Sequence, residues 1–63
     1  MEVKNAKQHF LEVAYHLRNA KGCLNDALGS VKNTENKQRI QDTFNIVDGA
    51  LQYATTTLLN YKD

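Results

Sequence analysis

His9, His16 and Cys23 recur at seven-residue intervals, and Glu12 stands between the two histidines. Imidazole, thiolate and carboxylate are the donors that hold zinc, so metal binding is the first chemistry to test. Seven residues of helix, however, carry a side chain about 10.5 Å along the axis. Zinc ligands must all lie within about 2.0–2.3 Å of the ion. Only Glu12 and His16, at i and i+4, can reach one point together, and a second chain would have to supply the remaining ligands. The spacing reads as a polar line along one helix, and neither a metal nor any other cofactor is expected.

Catalytic groups are equally sparse. The chain has no glycine-rich phosphate loop, no nucleophile elbow, no HExxH and no paired cysteines. Gly22, Gly29 and Gly49 are isolated, and two of them fall at outward positions in mid-helix, where glycine costs about 1 kcal/mol relative to alanine. No catalytic residue is assigned, and an enzyme is not expected.

The elements that must position these side chains are two heptad ladders. Val3, Ala6, Phe10, Val13, Leu17, Ala20, Leu24, Ala27 and Val31 alternate at spacings of three and four. Ile40, Phe44, Val47, Leu51, Ala54, Leu58 and Tyr61 keep the same rhythm. Such a repeat holds one apolar seam against a partner helix. The expectation is a single all-α domain over 1–63: a helix over 3–31, a turn at 32–34 and a helix over 35–61. Each helix would run to about 28 residues, or about 42 Å.

Folding back near Asn33 pairs residues whose numbers sum to about 68, as antiparallel coiled-coil layers require. Ala6 then faces Tyr61, Val13 faces Ala54, Ala20 faces Val47 and Ala27 faces Ile40. Small against large in each layer lets the two helices interdigitate, which favours an intramolecular hairpin over one continuous rod. In the turn, Asn33 is expected to take a left-handed cap conformation and Thr34 to N-cap the second helix, with Glu35 favourably placed against its dipole.

The chain is 63 residues long with a formal net charge of +1. One seam in so small a chain is marginal in water, and its single cysteine excludes an internal disulfide staple. A lone cysteine suits a reducing compartment. No secretory leader pattern opens the sequence, and the longest uncharged stretch, 49–61, is short and rich in Gln, Asn and Thr. A cytoplasmic location is therefore expected, without membrane insertion. Lysine outnumbers arginine and asparagine is abundant, a bias of AT-rich coding sequences that suggests a low-GC bacterium or its phage, and the small size suits a phage or mobile-element regulator.

Two flanks remain once the ladders are subtracted. One, at heptad positions g and c, carries His9, His16 and Cys23 on the first helix and Ile46, Ala50, Tyr53 and Thr57 on the second. Burial against a second copy would account for this apolar side, making a homodimeric four-helix bundle, or a higher oligomer, with Cys23, Ile46, Ala50, Tyr53 and Thr57 at the interface. The other flank, at e and b, carries Lys4, Lys7, Arg18, Lys21, Lys32 and Lys62, opposed there only by Asp48.

Apolar residues outside the seam mark candidate contacts for a protein partner: Leu11, Tyr15, Leu28 and Leu59. The expected function is accordingly a small, self-associating, non-enzymatic protein that binds another protein as an adaptor or inhibitor.

The alternative is RNA binding through Lys4, Lys7, Arg18 and Lys21, since such a stripe can contact phosphates. In outline, a hairpin that dimerises into a four-helix bundle resembles the plasmid-encoded Rop family, which implies recognition of paired RNA loops. The resemblance is one of architecture, with no shared residue motif. A third expectation is sequestration of a small molecule between subunits around His16 and Tyr53.

Overall fold

The computed structural model describes residues 5–62. Over these residues the chain forms two α-helices, α1 (Ala6–Ser30) and α2 (Thr34–Leu59), packed against each other as an antiparallel hairpin without strands. Asn5 starts α1 with a reciprocal capping box: its side chain accepts the Gln8 N–H at 2.9 Å, and Gln8 Oε1 accepts the Asn5 N–H at 2.9 Å. Two otherwise orphaned donors are satisfied this way. Val3, where the ladder opens, lies outside the described residues.

The connection, residues 31–33, begins one residue earlier than the sequence predicts and is extended. Val31 (φ −71°, ψ 138°) ends α1, and Asn33 (φ −80°, ψ 125°) precedes α2. Among the described residues no non-glycine residue has a positive φ, so the left-handed cap expected at Asn33 does not form. Asn33 itself, rather than Thr34, is the N-cap of α2, its side-chain oxygen accepting the Asn36 N–H at 3.0 Å. A β-branched residue at the end of α1 favours the extended exit, and an extended Asn is the standard geometry for an N-cap. Glu35 does occupy the first turn of α2, where it also pairs with Arg39 at 3.4 Å.

At the threonine-rich end of α2 the hydroxyls are satisfied within the helix. Thr55, Thr56 and Thr57 each donate to the carbonyl four residues back, at 2.9, 3.1 and 3.0 Å. Asn60 closes the helix, its side-chain amide donating to the Thr56 carbonyl at 3.0 Å. These bonds replace the water that a threonine hydroxyl would otherwise require.

The seam of α1 is rotated from the predicted one. Val13 is 44% exposed and Ala6 is exposed, whereas Ala14 is buried at 8%. Ala54 of α2, at 3%, is the other buried residue among those described. The side chains that α1 turns inward are Phe10, Ala14, Leu17, Lys21, Leu24, Leu28 and Val31, again at alternating spacings of four and three. Ala14, not Val13, therefore lies level with Ala54, and Leu28 is half-buried in the seam rather than open on a flank. Ala20 and Ala27 remain half-buried at its edge.

The result is a molecule one helix thick. Its Cα extents are 48 × 25 × 12 Å and its radius of gyration is 14.9 Å, against about 10.6 Å for a compact domain of this length. Its accessible surface, 5157 Å², exceeds by about 1,000 Å² the surface of a folded monomer of equal mass. Domains ordinarily bury their core between two packed layers, and this chain supplies one.

Candidate interaction surface

A single layer of two helices has two broad faces, and the ion pair across the seam shows which flanks share each. Lys21 Nζ on α1 reaches Asp48 Oδ1 on α2 at 2.6 Å and lies 5.7 Å from the centroid of the Phe44 ring. The b positions of α1 therefore border one face together with the e and b positions of α2, and the g and c positions of both helices border the other.

On the first, basic face, Lys7, Arg18, Lys32 and Lys62 are exposed. Lys21 is placed differently from a free phosphate contact: it is half-buried, its apolar stem fills the seam, and its charge is met by Asp48. Lys4 lies outside the described residues. Toward the open end, Leu11 is exposed on α1 and Leu59 on α2, at matching levels of the hairpin. Tyr15 is exposed one turn along from Leu11, its ring edge-on to that of His16 with centroids 5.8 Å apart.

The Lys21 hydrogen bond, with its positive charge and the Gln52 amide at 3.0 Å, holds the Asp48 carboxyl below the usual carboxylate range against the opposing effect of burial. A depressed folded-state pKa contributes stability that is present above the unfolded value near ~3.9 and is lost as pH falls through the folded value. The melting temperature of the wild type should thus fall on acidification below about pH 4, and Asp48→Asn should narrow that fall. The two proteins would be compared by thermal denaturation between neutral and strongly acidic pH. Parallel curves for the two would rule out a stabilising role for the pair.

The second face is uncharged along the middle of α2, with Arg39 toward the connection and Glu12 and Asp26 at c positions of α1. Tyr53 is 77% exposed and Ile46 is 72% exposed, with Ala50 exposed between them and Thr57 half-exposed beyond. Thr43 continues the line, its hydroxyl donating to the Arg39 carbonyl at 2.9 Å. On α1 the same face shows His9, His16 and Cys23, all exposed. Val13 borders it too, a residue that the a/d ladder had assigned to the seam. The signal that places Val13 outside is the alternative ladder through Ala14 and Leu28, which Lys21 interrupts for any reading that counts only apolar types.

What this arrangement can do chemically is limited. Among the described residues no group of three His, Cys, Asp or Glu side chains is gathered closely enough to hold a metal ion. A shallow depression runs beside Tyr53, lined by Gly49, Gln52, Tyr53, Thr56, Thr57 and Asn60. Five lie on α2 and Asn60 caps it, so one helix forms the whole site and no second wall encloses a ligand, whereas small-molecule sites surround most of theirs. No described helix is long and apolar enough to cross a membrane. Comparison of the chain with protein-family models, curated proteins and solved structures returns no match.

Proposed function

We propose that this protein is a non-enzymatic binding module that works as a homodimeric four-helix bundle and holds a protein partner on surface the bundle leaves free, as an adaptor or an inhibitor by occlusion. The observation that carries the reading is the single-layer hairpin with an uncharged, exposed run of Ile46, Ala50 and Tyr53 along the middle of one face. Its surplus of about 1,000 Å² compares with the roughly 800 Å² that each partner buries in a stable interface. Charge selects the face: two basic faces would set Lys7, Arg18 and Lys32 against their own copies, while two neutral faces carry no such penalty.

Dimerising through the neutral face leaves Leu11, Tyr15 and Leu59 outside, as the anchors for a different protein. Lys7, Arg18 and Lys62 flank them, which suits a partner segment that combines acidic and apolar side chains.

Light scattering at micromolar concentration should give about twice the 7.2 kDa chain mass. A clean monomer would remove the dimer. In a pull-down, the double substitution Leu11→Glu and Tyr15→Glu should abolish partner capture while leaving the scattering mass unchanged. Capture that survives this change but is lost on nuclease treatment, with steeply salt-dependent retention on heparin, would replace the protein partner with RNA held through Lys7 and Arg18.

A further inference from the structure

The stripe that α2 contributes to the neutral face is nearly symmetric about Ala50. Ile46 stands four residues before it and Tyr53 three after; Thr43 stands seven before and Thr57 seven after. We infer that the second copy docks with α2 against α2, antiparallel, with the two-fold axis passing beside Ala50. The inference rests on the dimer proposed above and fixes its register.

In that register Ala50 meets Ala50 of the partner subunit, and the small pair lets the helices approach at the crossing. Ile46 of each copy then packs against the partner's Tyr53, once on each side of the axis. Thr43 falls against the partner's Thr57 one layer further out. Large meets large only where the helices diverge from the crossing, and the self-complementarity that a two-fold interface demands is met by one stripe. Thr43 and Thr57 already donate their hydroxyls to the Arg39 and Tyr53 carbonyls, so removing water from them leaves no donor unpaired.

The opposite stacking, α1 on α2, satisfies the same faces less well. It would set His9 and His16 against Ile46 and Tyr53, burying imidazole nitrogens beneath apolar side chains with no partner in reach. Stacking like on like collects the apolar groups along α2 and keeps the histidines and Cys23 along a more polar line, where water can remain between the two α1 helices.

The register also has a functional consequence. It places the two connections at opposite ends of the bundle and the two Leu11–Tyr15 patches on opposite outer faces, offset along its axis by about 15 Å at 1.5 Å of rise per residue. A bundle of this kind is bivalent and can bridge two copies of its partner, with the avidity that follows.

Cysteine crosslinking tests the register directly. In a Cys23→Ser background, Ala50→Cys should convert most of the chain to a disulfide-linked dimer under mild oxidation, because only cysteines at the crossing come within disulfide reach of their own copies. Ile46→Cys alone and Tyr53→Cys alone should remain unlinked, while the two together in one chain should link. If the Cys23→Ser parent scatters as a dimer but neither Ala50→Cys nor the double-cysteine chain crosslinks, the register is wrong and the dimer stands. If the parent scatters as a monomer, the dimer and its register both fail.

Discussion

Ala54→Glu is expected to abolish the helical fold at room temperature. Ala54 is 3% exposed and lies level with Ala14 at 8%, and these two are the most buried side chains of their helices among the described residues. A glutamate there must either hold an unpaired carboxylate between the helices or force them apart. Burying a charge without a partner costs about 3 kcal/mol or more. A single core in a chain this small rarely supplies more than about 3–5 kcal/mol in total, so the substitution removes most of the stability. Far-UV circular dichroism should show loss of the helical signal. Thr56→Glu, two residues on and exposed, should keep it, since glutamate is a better helix former than threonine. An Ala54→Glu protein that melts within a few degrees of wild type would show that the seam lies elsewhere.

That the decisive small residue on α1 is Ala14 shows where the sequence stops being legible. The ladder built on apolar types alone ran through Ala6, Val13, Ala20 and Ala27, and it places Val13 opposite Ala54. A second ladder through Phe10, Ala14, Leu17, Leu24, Leu28 and Val31 has the same period and offers Leu28 in place of a smaller residue, but Lys21 breaks it. In the structure Lys21 belongs to the seam: it is half-buried, and its ammonium lies over the Phe44 ring and meets Asp48. A lysine counts as polar in a pattern and as largely apolar in a packed layer. Hairpin topology survived this ambiguity because both ladders share the a positions and the short polar connection. Which face each flanking residue borders did not survive for Val13 or Leu28. Ile46, Ala50 and Tyr53, by contrast, were readable as an apolar flank, because α2 has a single ladder and nothing on that side competes with it.

Dilution should therefore lower the melting temperature of the wild type, and Tyr53→Glu should remove that dependence. Two identical chains lose about 1.4 kcal/mol of stability per dimer for each tenfold dilution, or about 5 °C in a bundle of this size. Tyr53 is 77% exposed in the hairpin, and substitutions at so open a site ordinarily change the stability of a lone chain by no more than about 0.5 kcal/mol. Any large loss on Tyr53→Glu must then come from surface that another molecule covers, with two carboxylates placed near the partner's Ile46 and near the axis. Leu59 supplies the control. At 81% it is as exposed as Tyr53, yet it lies on the basic face, away from the proposed interface. Leu59→Glu should leave both the melting temperature and its concentration dependence intact. Equal effects at the two positions would mean that exposure alone, and not a second copy on the neutral face, sets the response. A wild-type melting temperature constant over a hundredfold dilution would exclude the dimer as the source of stability, and the hairpin would have to stand on its single seam.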